Sequence, residues 1–130
     1  MKPNQKLALG VLIGAMVSFA ASQALHATQE KVPRGYLVAE VDVTDADAFQ
    51  KYATQVPGTL TPFTGQYLVR GGKITPLEGQ WAPKRVVVIA FDSVAKAQAW
   101  YDSPAYSAIR PIRQGAAKTR AFFVEGVTPK

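Results

Sequence analysis

Arg70 and Arg85 bracket a segment that also holds Glu78, Gly79 and Trp81, with Tyr67 just upstream and Tyr106 further on. A guanidinium offers a rigid fork of N–H donors, so Arg70 and Arg85 suit a carboxylate or a phosphate. The same two arginines would serve equally well capping a sheet edge or pairing with Glu40, Glu78 or Glu125. Glu78, set before Gly79, is a candidate catalytic base; otherwise it is an ion-pair partner for one of those arginines. Trp81 lies between Gly79 and Pro83, where burial is not automatic, and reads as ligand contact or as packing. Tyr67 and Tyr106 add rings with a polar tip, suited to lining a cleft or filling a core. The expectation is a pocket with Arg70 and Glu78 at its polar end, Trp81 and Tyr106 as walls, and the loop from Gly71 to Pro83 as its gate.

Several chemistries are closed off by composition. No cysteine occurs, which removes disulfides, thiolate nucleophiles, cysteine metal sites and the lipid attachment of a bacterial lipoprotein. The single histidine is His26, too near the start to serve a folded domain, so haem, zinc and serine–histidine catalysis are not expected. Asp42, Asp45 and Asp47 form an acidic cluster, but two of them sit where a helix start favours negative charge, so no metal is assigned. No cofactor is expected. Basic residues are scattered from Lys31 to Lys130 without interleaved aromatics on one element, which argues against nucleic acid. Arg110 and Arg113, near the end of the second helical region, read as solvated. Trp100 reads as core.

The elements that must position these residues follow from periodicity and punctuation. Gly35–Val43 is a first strand. Thr44 with Asp47 three later signals a helix over Asp45–Val56, with Phe49, Tyr52, Ala53 and Val56 on one face. Pro57-Gly58 stops it, and Thr59–Thr64 is loop. Gln66–Arg70 and the apolar, β-branched Arg85–Phe91 are strands, the first closed by Gly71-Gly72. Ser93 caps a helix over Val94–Tyr101, and Ser103-Pro104 starts another that Pro111 breaks. Gly115 ends that region and Thr119–Glu125 is the last strand. The order β-α-β-β-α-β predicts an α+β, ferredoxin-like fold: a four-stranded antiparallel sheet with its helices on one face. Leu37-Val38-Ala39, Val86–Phe91 and Ala121–Val124 are apolar on both faces, so a homodimer through the open sheet face is expected.

One segment stands apart. Lys2 and Lys6 precede the uncharged apolar run Leu7–Ala21, and Ser22-Gln23-Ala24 places small residues where a signal peptidase reads. The run is shorter than the roughly 18–20 apolar residues of a spanning helix. Residues 1–24 are therefore expected to be a signal peptide, with Ala27 an alternative cleavage point, and the product to be periplasmic and free of the membrane. Residues 28–34 form a disordered lead-in to a domain over 35–127. Removing Lys2 and Lys6 from the 15 basic residues leaves 13 against 9 acidic, a net +4, which suits a small anionic partner.

The segments G-Y-L-V, G-Q-Y-L-V-R-G-G, L-E-G-Q-W-A-P-K-R-V-V-V-I-A-F, W-Y-D-S-P-A-Y-S-A-I and V-E-G span Gly35 to Val127. In type and spacing they resemble the bacterial family called domain of unknown function thirteen-thirty, placed in the dimeric α/β-barrel superfamily. The resemblance implies the same fold and the dimer, while an export signal is not a feature of most members. Relatives usually show consecutive glycines where this chain has Phe63-Thr64-Gly65, leaving the backbone here less free. The superfamily includes cofactor-free monooxygenases, lactone isomerases and dye-decolorising haem enzymes, and fold kinship does not choose among them. Three readings stand: a dimer binding a small anionic organic molecule between sheet and helices, a cofactor-free monooxygenase or isomerase, and a non-catalytic envelope protein whose apolar faces serve oligomerisation.

Overall fold

The computed structural model describes residues 31–130. The expected signal peptide, both cleavage points and the first residues of the lead-in lie outside the described residues. Along the rest run β1 (Gly35–Val43), α1 (Ala46–Ala53), α2 (Val56–Leu60), a 3-10 turn (Thr61–Phe63), β2 (Gln66–Arg70), β3 (Val86–Phe91), α3 (Val94–Tyr101), α4 (Pro104–Ala116) and β4 (Ala117–Glu125). The strands form one sheet in the order β2-β3-β1-β4, and every neighbouring pair is antiparallel. This is the ferredoxin-like α+β arrangement expected from the element order.

Alternation along β1 sets the two faces of the sheet. Leu37, Ala39 and Val41 are buried, while Tyr36, Val38 and Glu40 between them are partly exposed. Ile89 of β3 pairs with Leu37 and joins the buried set with Phe49, Tyr52, Trp100, Tyr106 and Ile109 from the helices. Trp100 is the largest fully buried side chain, and its indole N–H donates to Thr59 Oγ1 at 3.0 Å. That bond satisfies the one polar group the ring brings into the core. Gly35 is required where α3 meets β1, because a Cβ there would lie 2.3 Å from the Val94 nitrogen.

Ser93 and Ser103 cap α3 and α4 as the sequence indicates, accepting from Lys96 N and Tyr106 N. Four local expectations are corrected. The cap of α1 is Asp45, whose Oδ1 accepts from Ala48 N at 3.1 Å, rather than Thr44. The expected loop over Thr59–Thr64 is mostly helical: Pro57 occupies the first turn of α2, where its missing N–H costs nothing, and α2 runs into the 3-10 turn. Thr64 then turns left-handed with φ of 53°, and its hydroxyl donates to Asp92 at 3.0 Å. Finally, Pro111 does not break α4, which continues through Gly115 to Ala116.

The strand β2 contains a bulge. Tyr67 faces Ile89 and Val69 faces Val88, so two steps on β2 match one on β3, with Leu68 the extra residue. Ile89 points to the helices and Val88 away from them. Tyr67 and Arg70 therefore both lie on the helix-covered side, although strict alternation would have put Arg70 on the other.

Candidate functional site

Between the sheet and helices α1 and α4 lies a cavity of about 450 Å3. Its floor is the inner face of β1 and β3, Leu37, Ala39, Val41, Val87 and Ile89. Rings from Phe49, Tyr52, Tyr67, Trp100, Tyr101 and Tyr106 form much of the wall. Three guanidiniums, Arg70, Arg85 and Arg113, complete it, and among the described residues no aspartate, glutamate or histidine takes part.

Each arginine is held by something other than a carboxylate. Arg70 lies over the Tyr67 ring at 4.6 Å and donates from Nη2 to the Ala53 carbonyl at 3.0 Å. Arg85 lies over Phe49 at 5.4 Å, and its Nε is buried without a hydrogen-bond partner. Its fork packs where Gly71 has no side chain: a Cβ there would stand 2.1 Å from Arg85 Nη1, and Gly71 has φ of +67°. Glycine is thus needed for the conformation, and its missing side chain leaves the Arg85 fork where it lies. Arg113 projects from the last turn of α4 toward the Tyr52 ring, 5.9 Å from its centroid. The acids that might have neutralised these cations are placed elsewhere. Glu40 pairs with Arg120 at 2.8 Å, and Asp42 with Lys84 at 3.5 Å.

The tyrosines are coupled. Tyr52 and Tyr106 share a hydrogen bond of 2.8 Å between their hydroxyls, in the buried interior. Burial pushes the Tyr52 pKa well upward, the Tyr106 phenol adds to that, and Arg113 opposes it without reversing it. Tyr67 is raised chiefly by burial too, against the pull of Arg70. Burial acts to lower the Arg113 pKa, yet the adjacent Tyr106 and Tyr52 outweigh it and the net shift is upward. At neutral pH Tyr52 and Tyr67 are hydroxyl donors and Arg113 is a cation. The cavity therefore offers donors and positive charge against aromatic faces, which is the chemistry of anion recognition rather than of proton abstraction.

The six residues singled out in the sequence divide. Arg70, Arg85, Tyr67 and Tyr106 line this cavity. Glu78 and Trp81 do not. Glu78 is exposed in the loop 71–85, and Trp81, 57% exposed, lines a second depression of about 400 Å3 with Glu40, Lys84, Lys118 and Arg120. Arg120 lies over the Trp81 ring at 5.8 Å. Arg120 shares the Glu40 side of its strand, so Trp81 belongs to the sheet face turned away from the cavity. The expected pairing of Arg70 with Glu78, and the gating role of their loop, are accordingly replaced by a site built without either. Phe49, Tyr52 and Arg113 complete it. Phe49 and Tyr52 could have been found from their shared helical face. Arg113 follows Tyr106 by seven residues, two helical turns, a signal lost once Pro111 is read as a break.

Fold and site together define a ferredoxin-like α+β domain with a cationic aromatic cavity under its helices. The chain belongs to the family Domain of unknown function (DUF1330), whose model matches residues 34–127. No curated protein matches it. Among solved structures it is similar to a protein of unknown function from Rhodopseudomonas palustris, 17% identical with a TM-score of 0.62, covering 84% of this chain and 94% of that one. A hypothetical Arabidopsis thaliana protein is 10% identical with a TM-score of 0.54, over 79% and 96% of the two chains. SnoaB, a cofactor-independent oxygenase from Streptomyces nogalater, is 9% identical with a TM-score of 0.51, over 75% and 97%. At these identities the likenesses establish the fold.

The raised tyrosines set a pH dependence. A phenol whose pKa is higher folded than unfolded contributes stability in full below its unfolded value, about 10, and loses it as pH rises toward the folded value. The melting temperature should thus fall above about pH 10. Tyr52→Phe should flatten that fall while leaving the neutral-pH curve nearly parallel. An unchanged alkaline slope in the variant, measured by circular dichroism melts, would remove Tyr52 as its source.

Proposed function

We propose that this protein binds a small anionic organic molecule, with an aromatic or otherwise flat body, in the cavity between sheet and helices. The observation that carries the reading is the set of three arginines around one apolar, ring-lined space with no carboxylate among the lining residues. Ligand pockets are commonly apolar with a few placed polar groups, in a volume of roughly 300–1,000 Å3. Among the described residues the lining holds no histidine or carboxylate, which favours binding over catalysis by proton transfer. SnoaB's cofactor-independent oxygenase activity is a property of a protein sharing the fold, and the catalytic alternative rests on that kinship alone.

Benzoate is a suitable probe, with neutral benzamide as its control. Calorimetry should show benzoate binding and benzamide binding far more weakly. Arg85→Met, which keeps much of the stem's bulk, should cost about 1.5–3 kcal/mol of benzoate affinity, the scale of a charge-assisted hydrogen bond. Its melting temperature should hold, because Arg85 has no ion pair to lose. Equal binding of benzamide, or a large fall in melting temperature with unchanged affinity, would assign the arginine to the scaffold.

We also propose that the protein works as a homodimer through the outer sheet face. Phe122, Leu68 and Val124 are 58%, 54% and 43% exposed, and Val38 and Val88 lie between them on the same face. A contiguous apolar sheet face of this kind is covered in stable soluble proteins. Light scattering should give twice the monomer mass at micromolar concentration. Val88→Asp should yield a folded monomer, since Val88 lies outside the helix-facing core; an unaltered dimer would place the interface elsewhere.

Export completes the proposal, on the strength of the charged start, apolar run and small-residue cleavage site in residues 1–24. N-terminal sequencing of the periplasmic fraction should find a chain starting at Leu25 or Thr28. Full-length chain confined to the cytoplasm would overturn it.

A further inference from the structure

Resting on the binding reading above, we infer that the anionic group of the ligand is a dianionic phosphate monoester, carried on the flat apolar body. The three arginines gather at one end of the sheet. There β1 finishes at Val43 and β2 at Arg70, while β3 and β4 begin at Val86 and Ala117. Val41 ties that end together: its N–H donates to the Arg85 carbonyl at 2.9 Å, and Thr119 faces it in register from β4. Gly71, next after Arg70, donates from its backbone to the Val86 carbonyl, also at 2.9 Å. Helix α4 ends here too, since the Ala116 carbonyl accepts from Thr44 N and Asp45 N at 2.8 and 3.0 Å. Arg113 belongs to the last turn of that helix.

One turn of α1 meets all three side chains. Phe49, Tyr52 and Ala53 share a helix face by their spacing of three and four. Arg85 lies over the Phe49 ring, Arg113 beside the Tyr52 ring, and Arg70 donates to the Ala53 carbonyl. The two rings are 5.6 Å apart between centroids. The Tyr67 phenol, raised chiefly by burial, is pulled down by Arg70 and Arg85 alike, so both cations act on one hydroxyl.

Three cations at one place set the charge of what they hold. A carboxylate brings one negative charge and two oxygens, leaving most of the mutual repulsion standing. A phosphate monoester brings close to two charges at neutral pH and three terminal oxygens, one for each planar fork. Arg85 Nε, buried with no partner, is a donor still to be met by such an acceptor. Away from the cations the floor is apolar. Leu37 stands four residues before Val41 on β1, about 13 Å at a strand's rise, opposite Ile89, and both line the cavity. The arginines thus hold the phosphoryl end, and the body lies along that floor.

The test is calorimetry on the full chain with four probes: phenyl phosphate, phenyl sulfate, benzoate and inorganic phosphate. At about pH 7.5 phenyl phosphate should bind at least about tenfold more tightly than each of the others. Its affinity should rise about tenfold from about pH 5 to 7.5, through its own second ionisation near pH 6, while benzoate affinity stays level. The ionisable lining residues are three arginines and four tyrosines, residue types that keep their charge across that window. Arg113→Met should cost phenyl phosphate at least about tenfold, as should Arg85→Met. Phenyl sulfate or benzoate matching phenyl phosphate, or a level pH profile for the ester, would overturn the dianion and leave anion binding intact. Inorganic phosphate matching it would overturn the ester. A loss in Arg85→Met without one in Arg113→Met, both folded by circular dichroism, would overturn the gathering of the cations on one group. Binding of none of the four at millimolar concentration would refute both the phosphate ester and the reading on which it rests.

Discussion

Like charges gathered in a partly buried space repel one another and lose solvation, and a fold that holds them must offset both. Here three guanidiniums share one cavity, and among the described residues none has a carboxylate partner. Their support comes from π-faces and backbone: Tyr67 under Arg70, Phe49 under Arg85, Tyr52 beside Arg113, and the Ala53 carbonyl for one Arg70 N–H. A cation–π contact stabilises by about 0.5–2 kcal/mol, and it occupies the face of the guanidinium while leaving its edge donors unspent. A carboxylate would have consumed those donors. The arrangement fixes each arginine in position and keeps part of its hydrogen-bonding capacity for something else.

Much of the surrounding geometry serves that arrangement. The bulge at Leu68 brings Arg70 to the same face as Tyr67. Gly71, with positive φ and no Cβ, clears space for the Arg85 fork and turns the chain out of β2. The loop 71–85 then crosses to the other face, where Lys84 meets Asp42 and Trp81 meets Arg120. This divides the outer face into two parts. Around Glu40, Asp42, Lys118 and Arg120 it is charged and approached by the loop; around Val38, Val88, Phe122 and Val124 it is apolar and bare. One connection thereby leaves the cavity accessible on one side of the sheet and confines the apolar patch on the other.

The sequence made the fold readable because its signals are local and mutually consistent. Ser93 and Ser103-Pro104 place two helix starts, and the strands announce themselves by β-branched runs. Arg70, Arg85, Tyr67 and Tyr106 could be picked out because strand ends and capped helix starts are where a sheet–helix cleft opens. Glu78 and Trp81 could not be placed, since a loop's local chemistry does not say which face of a sheet it will cross. The bulge was equally invisible: Q-Y-L-V-R fits a regular strand, and only pairing with β3 shows the extra residue. Arg113 was obscured by Pro111. A proline inside a helix costs about 3 kcal/mol in isolation, but α4 packs Tyr106, Ile109 and Ala116 into the core and retains its path. Tertiary burial outweighed a strong local signal and carried an arginine into the site.

Whether those arginines belong to scaffold or site can be argued from how this chain treats its other charges. Where it uses a cation structurally on the sheet, it supplies an acid within reach: Arg120 has Glu40 directly opposite in register, and Lys84 has Asp42. An acid could have been placed beside Arg85 by a single substitution at Val87, two residues along and lining the same cavity. It would have paired with a cation already half-buried and filled an unmet hydrogen bond. Thr119 instead keeps an unpartnered hydroxyl, and Arg85 an unpartnered Nε, inside one space. Internal neutralisation would stabilise the empty protein and abolish its attraction for an anion. Leaving the cations unpaired does the reverse, which is the trade that a binding site makes and a scaffold has no reason to make.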